Sequence, residues 1–187
     1  ASDVYKRQII DDIFDIASAG VSDLQLNLAP LDIRAMVERA VINNANQCLD
    51  KGIAFIVDID PAVDGEWVGD ANHLQRTLSI LTNNAVKFTE SGEVRVEARL
   101  ADGRIIFSVT DTGPGISEER LSEIFGVFTQ VDASASRRAG GLGRGLAIAQ
   151  KRVATMGGDL QVVSQPGHGS VFSFSLALEP HRRVAES

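Results

Sequence analysis

Four short clusters in this chain carry residue types that can act on phosphate, metal or a heterocycle. The first is Leu-Thr-Asn-Asn-Ala-Val-Lys-Phe-Thr, residues 81–89. Its Asn84 and Lys87 are three apart and so share one face if the segment is helical. An amide oxygen can ligate Mg²⁺ and a lysine can neutralise phosphate; the same pair is also an ordinary solvated helix face. The second is Asp-Thr-Gly-Pro-Gly-Ile, residues 111–116. A carboxylate at a strand end can accept from an exocyclic amine such as adenine N6, and the glycines let backbone approach a flat ligand. The alternative is a strand-to-helix turn with Asp111 as cap. The third, Gly-Gly-Leu-Gly-Arg-Gly-Leu at 140–146, opens a helix, where backbone N–H groups can hold phosphate. No strand precedes it and its spacing is not G-x-G-x-x-G, so it is no dinucleotide fingerprint. A G-x-x-x-x-G-K-[ST] loop is absent too. The fourth, Gly167-His-Gly-Ser170, reads equally as a β-turn or a binding loop.

The elements that must position these clusters follow from periodicity. Ile9, Ile10, Ile13, Phe14 and Ile16 have helical spacing, with Gly20 as stop. Residues 24–31 read as extended. Asp32 caps a helix to about Asp50, and Asp70 caps another to about Phe88. Between them lie a strand at 53–59 and a loop at 61–69. Strands at 93–100 and 104–110 flank the hairpin signal Ala101-Asp-Gly103. A short helix starts at Ser117. Residues 129–143 have few large apolar side chains and read as a functional loop or lid. A third long helix spans 145–156, followed by strands at 159–164 and 170–178. The tail from Glu179 is polar and reads as frayed. Strands clustered after helices predict an α+β two-layer sandwich, one mixed sheet of about five strands with three helices on one face.

Composition bounds the function classes. The chain has 187 residues, 44% hydrophobic and 23% charged, which is a globular balance for one ordinary domain, or one domain plus a short arm. The net charge of −7 argues against sequence-independent nucleic-acid binding. No apolar run reaches the ~18 residues of a spanning helix. One cysteine, Cys48, excludes an internal disulfide and a cysteine zinc cluster, and fits a reducing compartment. His73, His168 and His181 show no metal spacing.

In order and context the clusters resemble the catalytic ATP-binding domain of sensor histidine kinases, within the superfamily of gyrase, mismatch-repair and heat-shock chaperone ATPases. Residues 81–89 resemble the N box and residues 111–116 the first glycine box. Ile-Phe-Gly-Val-Phe at 124–128 resembles the F box, and residues 141–145 the second glycine box. Residues 132–141, with Arg137-Arg138, are most similar to hybrid kinases that carry receiver domains. The resemblance implies a Bergerat-type fold. It assigns residues 1–23 to the end of a dimerisation and phosphoacceptor hairpin, 24–179 to the catalytic domain and 180–187 to a flexible tail.

The resemblance also implies roles. Asn84 would ligate Mg²⁺ and Lys87 would contact phosphate. Asp111 would bind the adenine amine, with Gly113, Gly115 and Ile116 shaping the pocket. Arg137 or Arg138 and the amides of Gly141, Gly143 and Gly145 would hold phosphates, with Leu142, Arg144, Leu146 and Ser170 lining the site. Phe125 and Phe128 would anchor the lid, or equally fill the core. The implied ligands are ATP or ADP with Mg²⁺. The implied partners are the chain's own hairpin, a response-regulator receiver and a second copy in a homodimer, in the cytoplasm, with no nucleic acid. Catalytic residues proper are not assigned. Two positions depart from the family pattern: Ile80 stands where a second Asn is usual, and Arg144 interrupts the second glycine box. They leave open a decayed kinase serving as a nucleotide-sensing or docking module. An ATPase or protein-serine kinase of the same superfamily is disfavoured, because Ile80 stands where the ATPases carry a water-activating Glu.

Overall fold

A computed structural model describes residues 25–126 and 142–182. Strand β1 (Ala29–Asp32) leads into helix α1 (Ile33–Lys51), then strand β2 (Ala54–Ile59), a 3-10 turn at Pro61–Val63 and strand β3 (Glu66–Gly69). Helix α2 (Ala71–Phe88) precedes the hairpin of β4 (Glu93–Ala101) and β5 (Arg104–Asp111). Helices α3 (Glu118–Gly126) and α4 (Leu142–Thr155) follow, then β6 (Gln161–Gln165), β7 (Gly169–Leu176) and β8 (Glu179–Pro180).

Capping chemistry sets the starts of the long helices as expected. Asp32 Oδ1 accepts from Ala35 N at 3.0 Å, and Asp70 Oδ1 accepts from His73 N at 3.0 Å. Each satisfies one of the orphan donors of a first turn. Asp32→Ala is therefore expected to cost about 1 kcal/mol, read as a lower urea midpoint with an unchanged slope.

The main sheet has strand order β2-β4-β5-β7-β6, with β2 parallel to β4 and the other neighbours antiparallel. Alternation decides its faces. Val94, Val96 and Ala98 of β4, Ile105, Phe107 and Val109 of β5, and Phe172, Phe174 and Leu176 of β7 are all buried. Phe107 stacks on Phe174 with ring centroids 5.2 Å apart. The intervening residues, such as Arg95, Glu97, Ser108 and Ser173, are half-buried on the opposite face. Helices α1, α2 and α4 form the second layer, α2 packing between the other two, and α3 rests on α4. The five-stranded mixed sheet under three long helices is the predicted sandwich.

A second, three-stranded sheet, β1-β3-β8, was not expected. Residues 61–69 are not a plain loop: Trp67 is buried, donates its Nε1–H to the Val63 carbonyl at 2.8 Å, and anchors β3 against β1. The open edge of β3 then takes Glu179 and Pro180, and His181 N donates to the Glu66 carbonyl at 2.8 Å. The start of the polar tail is thus paired rather than frayed. Proline is tolerated in β8 because the strand lies at an edge. Of the extended stretch 24–31, only its end is strand. The helix expected at 9–20, residues 129–141 of the loop expected at 129–143 and the last residues, 183–187, lie outside the described residues; the last two positions of that loop, 142 and 143, are already helical, so α4 starts at Leu142 and not at Gly145.

Candidate functional site

Strand β5 presents its buried face at Ile105, Phe107 and Val109, and the next residue in that alternation is Asp111. Its carboxylate therefore faces the helix layer at the end of the core, and the residue is only 7% exposed. Oδ1 accepts from Gly113 N at 2.9 Å, and the backbone N–H of Ser170, its register partner on β7, donates to the same carboxyl group. Burial pushes the Asp111 carboxyl above its ordinary value, and these two N–H groups only partly oppose that.

The C-terminal end of α2 lies over this carboxylate. The point that a Cβ on Gly113 would occupy is 3.0 Å from Asp111 Oδ1, 3.1 Å from the Phe88 carbonyl oxygen and 3.3 Å from Thr89 Oγ1. Thr89 is fully buried and its hydroxyl has no hydrogen-bond partner among the described residues. A buried, unpaired hydroxyl costs roughly 1–3 kcal/mol, so it is a ready contact for a polar ligand beside Asp111. Thr89 closes the first cluster in the sequence, but its helical position alone gives no sign that its hydroxyl is buried and unpaired.

The turn after β5 is clasped by the β6–β7 hairpin. Gly115 has φ +71°, and a Cβ there would lie 2.1 Å from the Gln165 carbonyl oxygen. Gly169 has φ +82°, and a Cβ there would lie 1.9 Å from the Asp111 carbonyl oxygen. Any side chain there would overlap backbone, which explains two of the glycines. Ser164 Oγ accepts from Ile116 N at 2.8 Å, donates to the Gly169 carbonyl at 3.0 Å, and lies 2.8 Å from Ser170 Oγ. Gly167 N also donates to the Pro114 carbonyl at 2.7 Å. Between the two readings of 167–170, the structure shows a turn that braces the Asp111 loop. Ser164 was not foreseen, because its role exists only once β6 and β7 pair.

Five positions before Thr89, Asn84 of α2 turns toward α4. The position of a Cβ on Gly145 would be 3.6 Å from Asn84 Nδ2, 3.9 Å from Asn84 Oδ1 and 3.1 Å from Ile80 Cγ2. Asn84 Nδ2 is buried with no hydrogen-bond partner among the described residues. Asn83, by contrast, accepts from Asn44 Nδ2 at 2.7 Å and joins α2 to α1, consistent with the ~100° turn between successive helix positions. Lys87 is exposed, its Nζ 5.4 Å from the centre of the Phe88 ring. Leu146 is 1% exposed and its side chain belongs to the core. The structure thus forms two groups, Asn84 with Gly145, and Asp111 with Gly113, Gly115, Ile116 and Ser170, both along the C-terminal half of α2. Phe128, Arg137, Arg138 and Gly141 lie outside the described residues, as do the side chains of Phe125, Leu142 and Arg144 and the surroundings of Gly143.

Among the described residues no group of three His, Cys, Asp or Glu is placed to hold a metal. Among the described residues a cation here would find one neutral amide, that of Asn84, with phosphate and water as further donors. That donor set fits a Mg²⁺ brought with a nucleotide and not a resident metal.

The site is thus a two-layer sandwich with a buried carboxylate at a strand end and a glycine-opened helix beside an asparagine. The profile of the family described as "Histidine kinase-, DNA gyrase B-, and HSP90-like ATPase" matches residues 69–180, and the chain belongs to that family. It is 39% identical over 176 residues to the signal transduction histidine-protein kinase BarA of Escherichia coli, covering 91% of this chain and 19% of that protein. It is 33% identical over 170 residues to the aerobic respiration control sensor protein ArcB of Escherichia coli, covering 90% and 22%. The chain therefore spans about a fifth of the length of these curated relatives. The full-length ShkA crystal structure in complex with AMPPNP superposes with a TM-score of 0.79 at 32% identity, covering 94% of this chain and 36% of that one. The chain is a catalytic domain of the histidine-kinase type. Among the described residues no helix is long and apolar enough to cross a membrane.

Proposed function

We propose that this domain binds Mg²⁺–ATP between α2, β5, β7 and α4 and donates the γ-phosphoryl group to a histidine on a helical hairpin, of which residues 1–23 are the end. The carrying observation is the buried Asp111 carboxylate, aligned by two backbone N–H groups beneath the end of α2. It accepts the amine of adenine and discriminates against guanine, which offers a carbonyl at that place. The Thr89 hydroxyl adds a polar contact to the same pocket. Asn84 and the start of α4 lie toward the phosphates. Mg²⁺ held by Asn84 would neutralise phosphate charge. The chain's own residues supply position and charge balance, which is most of what phosphoryl transfer needs. The whole protein acts in the cytoplasm as a homodimer and passes its phosphoryl group to a receiver domain.

Ile80 favours a second reading, a nucleotide-sensing module without transfer. Its methyl group fills the space against Gly145 where the superfamily's pattern has a polar side chain. Titration calorimetry with ATP and ADP, with and without Mg²⁺, tests binding. Asn84→Ala is expected to weaken Mg²⁺–ATP by about 10–100-fold, the range for losing even an outer partner of a metal, and to leave metal-free ADP unchanged. Equal losses for both ligands would make Asn84 a folding residue only. Ile80→Asn should strengthen the Mg²⁺ dependence; if it does not, Ile80 is not what limits the site.

A further inference from the structure

The α2–α4 contact has two ends. At one, Gly145 meets Ile80 and Asn84. At the other, Arg152 Nη1 lies 2.8 Å from His73 Nδ1, both side chains within residues only 6% and 5% exposed. Gly145, Ala149 and Arg152 share one face of α4, and His73, Thr77, Ile80 and Asn84 share one face of α2. Seven residues separate Gly145 from Arg152 and seven separate His73 from Ile80, about 10.5 Å of helix rise in each case. Both contacts therefore belong to one antiparallel register. Between them the surface is small: Ala149 is fully buried and Thr77 turns its hydroxyl back to the His73 carbonyl at 2.7 Å. The close approach of Ile80 to Gly145 marks the register at one end, and the polar contact marks it at the other, across a middle too small to resist sliding.

The chemistry of the contact fixes a protonation state. A guanidinium only donates, so His73 Nδ1 accepts and carries no proton. The imidazole is neutral, with its proton on Nε2, which faces Asp70 Oδ2 at 3.8 Å. Asp70 is itself 5% exposed, caps α2, and accepts from Asn27 N at 2.8 Å through the same Oδ2.

We infer that Asp70, His73 and Arg152 form a buried pin, with His73 as the neutral Nε2–H tautomer, that sets the register of α4 on α2 and so positions Gly145 beside Asn84. His73 and Arg152 are positioning residues that touch no ligand. Polar groups buried between helices are best attested in this registry role. The inference rests on the nucleotide reading for its functional consequence, but the tautomer stands apart from it.

The test uses the full chain. Nitrogen-15 NMR of labelled histidine, with the His73 signal identified by its loss in His73→Leu, should show the Nε2–H tautomer at neutral pH. A proton on Nδ1 would overturn the pin. The double variant His73→Leu with Arg152→Leu replaces the pair by apolar side chains and keeps the layer filled. It should lower ATP affinity roughly tenfold, equivalent to 1.4 kcal/mol, and leave adenosine affinity unchanged, because the register governs the phosphate end alone. Arg152→Lys, which keeps a donor and is the milder change should the double variant not fold, should retain most of the ATP affinity. Unchanged ATP affinity in the double variant, or equal losses for ATP and adenosine, would overturn the positioning role. Absence of ATP binding by the unaltered chain would sink the nucleotide reading and the positioning role with it, whereas a wrong tautomer alongside intact ATP binding would sink the pin alone.

Discussion

Asp111→Asn is expected to lower ATP affinity by about 10- to 150-fold, the equivalent of losing a charge-assisted hydrogen bond worth about 1.5–3 kcal/mol. The wild-type carboxylate can only accept, which suits an amine. An asparagine offers an oxygen in one orientation and a donor in the other, and it carries no charge. Calorimetry with ATP measures the loss; unchanged affinity would remove Asp111 from the site. The raised carboxyl adds a pH signature. Adenine needs the ionised form, so affinity should fall as pH drops through a value above 3.8, the ordinary one for this group. Stability runs the other way. A carboxyl whose folded pKa is raised binds its proton more tightly in the native state, so its contribution is full below 3.8 and is lost as pH rises through the raised value. The variant lacks that loss. Its stability relative to wild type should therefore improve between acid and neutral pH, as urea midpoints would record. A variant that is folded, relatively more stable at neutral pH and poor at binding separates a ligand contact from a structural one.

Much of this arrangement was legible in the sequence because local rules carry it. The alternation from Ile105 through Val109 places Asp111 on the buried face, and the Asp32 and Asp70 caps mark where two helices begin. Asn83 and Asn84 were separable by helix geometry alone, and the structure puts them on α1 and α4 sides respectively. What stayed hidden depends on pairings distant in sequence. Strands β1, β3 and β8 have 4, 4 and 2 residues, too short to show a period, and they join Ala29 to Gly69 and Trp67 to Pro180. Arg152 and His73 are 79 positions apart, and each alone reads as an ordinary helix residue. Thr89 acquires meaning only from the glycine turn that the β6–β7 hairpin holds beneath it.

The isolated chain is expected to incorporate no label from γ-labelled ATP and to turn over almost no nucleotide. It has three histidines, and none is set up as an acceptor. His73 is buried, its Nδ1 engaged by Arg152 and its Nε2 turned toward Asp70. His168 is exposed in the β6–β7 turn with no acid or base beside it in the sequence, and His181 follows the edge strand β8. Water fares no better, because Ile80 has no group that can orient or deprotonate it. Supplied with a folded helical hairpin that carries a phosphoacceptor histidine, the same chain should label that hairpin. The γ-phosphorus bond to the bridging oxygen breaks, a phosphorus–nitrogen bond forms, and the imidazole proton passes to a base on the hairpin, with ADP released. Transferred label should be acid-labile and base-stable, as a phosphoramidate is. Because the donor side supplies mainly position and charge balance, Asn84→Ala and Asp111→Asn should each suppress labelling at limiting ATP, and saturating ATP should rescue Asp111→Asn more than Asn84→Ala. Adenine contact is made equally in the ground and transition states, whereas charge neutralisation matters more as the phosphoryl group departs. Label on the isolated chain would contradict the absence of an acceptor. A folded hairpin left unlabelled in the presence of bound ATP would establish the sensing module that Ile80 favours.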